Sequence, residues 1–79
     1  MTRSQYNVYI AIEDFINENG YSPSVRELCK ITGKTSPGTI YTHLKKLKEL
    51  GFITFIDGKN RTIRIIKKYR CKYDKELFI

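Results

Sequence analysis

From Ser36 to Glu49 the chain sets hydroxyls and ammonium groups at intervals that gather them on one side of a helix. Gly38, Thr42, Lys45 and Glu49 share an arc, Thr39 and Lys46 flank it on one edge, and Tyr41 and Lys48 on the other. Such a surface can exchange hydrogen bonds with a polar ligand and attract an anion; it does not make or break bonds. Bond-making chemistry has little to draw on elsewhere. Cys29, Cys71 and His43 are the only thiols and imidazole in the chain. A structural zinc site takes four such ligands in paired spacings, so no metal is expected. No nucleophile–base–acid set, phosphate-binding glycine pattern or carboxylate pair is discernible, so neither an enzyme nor a cofactor is expected. Cys29 falls on the apolar face of a short helix, where a thiol acts as a small hydrophobe. A Cys29–Cys71 disulfide stays open but is disfavoured in a reducing compartment.

Charge says where an anion would bind. Fifteen Lys and Arg face eight Asp and Glu over 79 residues, a formal net charge of +7, with a pI near 9.6. Residues 1–24 hold one base and three acids, residues 25–66 nine and three, and residues 67–79 five and two. The basic surface therefore lies in the middle of the chain and its tail, and its natural partner is a polyanion. With 41% hydrophobic and 29% charged residues the composition is that of one small globular domain. No apolar run approaches the roughly 18 residues of a membrane span, and residues 2–7 do not resemble a secretory signal. The cytoplasm is the expected location.

The elements that must hold the polar arc are readable from periodicity. Ser4–Asn19 carries Val8, Ile12, Phe15 and Ile16, with Tyr9 beside them, on one helical face stopped by Gly20. Ser24 opens a capping box with Glu27 and a second helix of about eight residues, with Val25, Leu28, Cys29 and Ile31 inward and Thr32-Gly33 at its end. Ser36, with Pro37 at the first helical position, starts a third helix that runs to Leu50, with Gly51 as its left-handed cap. Ile40, Leu44, Leu47 and Leu50 form its buried stripe. Phe52–Ile56 and Arg61–Ile66 are β-rich runs joined by Asp57-Gly58-Lys59-Asn60, which reads as a hairpin. A lone hairpin is marginal in water, so it must pack on the helices.

Three helices, a short glycine-containing turn Thr32–Thr35 between the second and third, then a hairpin, is the order of a winged helix-turn-helix, mainly α with a small β-hairpin. The expected division is residues 1–66 as the domain and 67–79 as a basic, partly apolar tail. In such a unit the third helix enters the major groove of duplex DNA and its first turns reach base edges.

Three stretches carry a closer likeness: Gly20-Tyr21-Ser22-Pro23-Ser24-Val25-Arg26-Glu27, Ser36-Pro37-Gly38-Thr39-Ile40 with His43-Leu44-Lys45, and Leu47–Ile53 leading into Arg61–Ile65. There, and across about residues 2–66, the chain resembles the N-terminal DNA-binding domain of the LexA family of SOS-response repressors. The resemblance implies base contacts from Ser36, Gly38, Thr39, Tyr41 and Thr42. At Gly38 only a close backbone approach remains. Thr39 and Thr42 can offer a hydroxyl to a base or a methyl to thymine. Lys45 and Lys46 suit phosphate, and Lys59, Asn60 and Arg61 resemble the family's wing. The acidic pair that some members carry at the positions of Tyr41 and Thr42 is absent, so no operator sequence is carried over. LexA repressors also continue into a domain with a Ser-Lys self-cleavage dyad that makes the dimer. A chain ending at Ile79 is expected to lack that activity unless it is a fragment, and a small free-standing regulator of a mobile element or phage is one home for it.

Blander roles compete at several positions. Lys45, Lys46 and Lys48 can be a solvated helix face, Tyr41 a half-buried flank residue, and His43 a packed structural histidine. Arg26, in the first turn of the second helix, can meet a phosphate or pair with Glu27 or Glu49, and Ser36 can both cap and contact. Tyr6 and Ile10 read as an exposed apolar pair on the first helix, which the tail residues Leu77, Phe78 and Ile79 or a second copy of the chain would cover. Two functions stand at this point: sequence-specific double-stranded DNA binding in transcription regulation, with a homodimer on a palindromic site as one arrangement, or a protein-interaction module such as an antirepressor or a replication or recombination adaptor. RNA binding is a weaker third. No membrane or small-molecule partner is expected.

Overall fold

The computed structural model describes residues 2–33 and 36–67. Three helices come first: α1 Arg3–Asn19, α2 Val25–Thr32 and α3 Pro37–Glu49. A two-stranded antiparallel sheet follows, β1 Ile53–Thr54 and β2 Arg64–Ile65, with Ile53 opposite Ile65 and Thr54 opposite Arg64. This is the expected mainly helical architecture with a small hairpin, that of a winged helix-turn-helix. The rest of the expected turn, Lys34 and Thr35, the tail beyond Lys67 and any pairing of Cys71 lie outside the described residues.

Local chemistry explains each boundary. Thr2 and Gln5 form a capping box at α1, and Gly20 closes that helix at φ 78° with its amide donating to the Ile16 carbonyl. Ser24 and Glu27 form the second box, and Gly33 ends α2 at φ 74°. Pro37 opens α3, and Gly51 follows the Leu50 cap at φ 87°.

Packing draws on every element. Val8, Tyr9, Ala11 and Ile12 of α1, Leu28 of α2, Ile40, Leu44 and Leu47 of α3, and Phe52, Ile53, Phe55 and Ile63 around the hairpin form one buried cluster. Tyr9 is wholly buried. Its hydroxyl donates to the Lys67 carbonyl at 3.1 Å, and its ring meets Phe52 edge-on at 6.2 Å. The hairpin is thus fastened to α1 by an apolar ring and one polar bond.

Several expectations are corrected. Ile31 is 53% exposed, because it lies about 110° from the centre of the face that Val25, Leu28 and Cys29 define. Leu50 is 40% exposed, since it caps α3 and the chain has begun to leave the stripe. Tyr6 and Ile10 are not an exposed pair: both are half-buried against the core, and Tyr6 stacks on Tyr9 at 6.4 Å. The strands are shorter than Phe52–Ile56 and Arg61–Ile66, because side chains replace the ladder beyond Thr54. The Thr62 hydroxyl accepts the Ile56 amide at 2.9 Å, and the buried Ser22 hydroxyl accepts the Ile63 amide at 3.1 Å. Ser36 occupies the cap position of α3 but makes no side-chain cap bond.

Candidate nucleic-acid interface

The polar arc of α3 is open along its length. Ser36, Gly38, Thr39, Tyr41, Thr42, Lys45 and Lys46 are all exposed, while Ile40, Leu44 and Leu47 on the opposite side are buried. At the N-terminal end the Ser36 carbonyl accepts the amides of Thr39 and Ile40 at 3.1 and 3.3 Å, which leaves the Ser36 hydroxyl outside the backbone pattern. The Thr42 hydroxyl donates to the Gly38 carbonyl at 2.9 Å. With its proton so committed, Thr42 keeps an oxygen lone pair and a methyl for a ligand. Gly38 leaves open space: a Cβ there would meet only the Ser36 Oγ, at 3.5 Å.

Cations border this strip. The Lys45 ammonium lies 5.5 Å from the centre of the Tyr41 ring. Lys46 pairs with Glu49 at 3.5 Å, both exposed, a contact too weak in water to immobilise the lysine. Lys48 is engaged differently: it donates to the Phe55 carbonyl at 2.9 Å and covers the Phe55 ring at 4.7 Å, so it ties α3 to the hairpin. His43 is half-buried between the apolar stripe and the surface.

Tyr41 bridges α3 and the wing. Its hydroxyl donates to the Asp57 carboxylate at 2.6 Å, and its ring packs edge-on against Phe55 at 5.9 Å. The bond to Asp57 holds the phenol above its ordinary pKa, since ionisation would set two anions side by side. Tyr41 is thus exposed on the arc and bound to the hairpin at once.

The wing loop presents Lys59 and Asn60 to solvent. Arg61 is turned the other way. Its guanidinium donates to the Ser22 carbonyl at 3.1 Å and pairs with Glu27 at 2.9 Å, and it lies 5.0 Å from the centre of the Tyr21 ring. The Glu27 carboxyl is held below its ordinary range by the Ser24 backbone amide and, next, by Arg61. Among the described residues, Glu27 pairs with Arg61 and Glu49 with Lys46. Arg26 stays exposed in the first turn of α2.

The bridges Arg61–Glu27, Tyr41–Asp57 and Lys48–Phe55 have no sequence signature, because each joins residues on different elements. The cap at Thr2 does have one, Thr-x-x-Gln, the same form as Ser24-x-x-Glu27.

Comparison with known proteins bears on this arrangement. Residues 1–62 match the model of the LexA DNA binding domain family. The LexA repressor of Desulfatibacillum aliphaticivorans is 43% identical over 67 residues, 85% of this chain and 33% of that protein. The repressor of Moorella thermoacetica is 45% identical over 58 residues, 73% of this chain and 28% of that one. That of Clostridium kluyveri is 41% identical over 68 residues, 86% and 34% respectively. The chain spans about a third of the length of these relatives. Because the matched stretch takes in all three helices and the hairpin loop as far as Thr62, the chain belongs to the LexA DNA binding domain family.

Proposed function

We propose that the chain is a sequence-specific duplex-DNA-binding unit of a transcriptional repressor, with α3 in the major groove and the wing against the neighbouring backbone. In this reading Ser36, Thr39, Tyr41 and Thr42 face base edges and Gly38 admits the DNA backbone or a base closely. Lys45, Lys46 and Arg26 neutralise phosphates, and the wing brings Lys59 and Asn60 alongside. The observation that carries it is the uncovered arc of α3: its hydroxyls and lysines are exposed on a helix whose other side is wholly spent on the core. A surface of that kind meets the needs of groove reading, small residues at the helix start and cations beyond them. The family match and the names of the repressors that the chain resembles support the same reading.

Selection from random duplexes at fixed salt tests it. The expected outcome is one preferred sequence bound about a thousandfold or more above competitor DNA, with affinity falling steeply as salt rises. A palindromic product would place two copies on one site and report their spacing. No selectable duplex, together with a defined protein partner that binds α3, would overturn the reading in favour of an interaction module.

A further inference from the structure

The strands pair over only two residue pairs. Phe55 and Ile63 are buried in the core, and Asp57 and Ile56 are bonded to Tyr41 and Thr62, which leaves the tip, residues 58–61, to be positioned by further contacts. A cavity of about 230 Å³ lies beneath the loop, bordered by Pro23, Val25, Tyr41 and Leu44 on the body and by Gly58 to Ile63 on the wing. The tip residues Gly58 to Arg61 are all exposed, so apolar packing does not hold them down. Arg61 stands at the end of that tip. It is the one non-glycine residue with a positive φ, 58°, among the described residues, a conformation that a side chain adopts only when its surroundings impose it. The surroundings are the Ser22 carbonyl, the Glu27 carboxylate and the Tyr21 ring.

We propose that Arg61 is a positioning residue of the DNA interface, clamped by Glu27 so that the left-handed turn it makes holds Lys59 and Asn60 outward. This rests on the DNA-binding reading above and deepens it. The guanidinium presents its fork to both Glu27 oxygens, with Nη1 at 2.9 Å and Nη2 at 3.1 Å, so its charge is already met by a carboxylate before any phosphate approaches. Glu27 also accepts the Ser24 amide at 2.9 Å as the third residue of the α2 capping box. One carboxylate thus fixes the start of the helix-turn-helix and the angle of the wing together. A loop ordered before binding loses less freedom when it meets the backbone, which is how a residue without a contact raises affinity.

The informative variant is Glu27→Gln, since glutamine still accepts the Ser24 amide and keeps the cap while losing its charge toward Arg61. On the duplex selected by the wild-type chain, Glu27→Gln is expected to weaken binding about three- to tenfold although it removes a negative charge near DNA. Lys59→Ala is expected to cost clearly less in the Glu27→Gln background than in the wild type. In the free protein, ¹⁵N order parameters of residues 58–61 should fall in Glu27→Gln while those of α2 hold. Equal or tighter binding by Glu27→Gln, or a Lys59→Ala effect of the same size in both backgrounds, would mean that Arg61 contacts phosphate itself or stands idle, and overturns the proposal. Unchanged loop order in Glu27→Gln overturns the clamp alone. A wild-type chain that selects no duplex removes the DNA reading and this role with it.

Discussion

The Tyr41 hydroxyl has one proton, and it is given to Asp57. A phenol whose pKa is raised in the folded state contributes stability that is present below its ordinary value of 10.0 and lost as pH climbs through the folded value. Replacing Asp57 with Ala should therefore bring the Tyr41 titration, followed by ring-carbon NMR, down toward that ordinary value. An unchanged titration would show that the bond is not kept in solution. On the arc itself, substitutions should divide by chemistry. Thr42→Ala or Tyr41→Phe is expected to alter which sequence is preferred. Lys45→Ala should weaken all duplexes alike and lower the salt slope by about one. Competition binding at two or more salt concentrations separates the two patterns.

At the scale of elements, side chains that satisfy helix ends do much of the work. Ser24→Ala should cost about 1 kcal/mol of folding stability, read from denaturant unfolding, because it frees the Glu27 amide at the start of a helix of only eight residues. Glu27 adds a pH dependence. Its folded pKa lies below its ordinary 4.5, so the unfolded chain binds the proton first. The stability it contributes is whole above that value and disappears as pH falls through the lowered one. Thermal melts from neutral pH to about pH 3 should show a decline that is smaller in Glu27→Gln, where the charge no longer exists to be lost. The Ser24 cap, the Pro37 start and the left-handed stops at Gly20, Gly33 and Gly51 were legible along the chain, since each depends on neighbours within a few positions. Ile31 and Leu50 lie off the buried faces of their helices, whereas Tyr6 and Ile10 are half-buried, because a wheel orders residues by angle but does not say how wide a face the neighbours will cover.

For the whole molecule, one core serves three helices and the wing. A domain of this size keeps roughly 3 to 5 kcal/mol of net stability, while truncating a fully buried leucine costs about 2 to 5 kcal/mol. Leu47, wholly buried in the last turn of α3, is therefore expected to be close to indispensable: Leu47→Ala should leave a large unfolded fraction at room temperature by circular dichroism. Ile40→Val, at about 0.5 to 1.5 kcal/mol, should fold. The +7 charge has an address as well. α1 and the segment after it, through Ser24, are net acidic, and the described lysines of α3 and the wing lie on exposed surface. Among the described residues no helix is long and apolar enough to cross a membrane.

What the sequence by itself determined was local and periodic: which segments become helices, where they start and stop, which face of α3 turns inward, and therefore which hydroxyls and lysines are left outside. These follow from the helical repeat and from capping bonds that span three or four residues. What only the tertiary structure decided was the allegiance of side chains between elements. Arg61 and Glu27 are 34 positions apart, and Tyr41 and Asp57 are 16 apart. No periodicity links them, because such contacts form only once the core has brought the hairpin down on α1 and α3. Composition counts Arg61 among the basic residues of the wing; the fold pairs it with Glu27 and leaves Lys59 and Asn60 exposed.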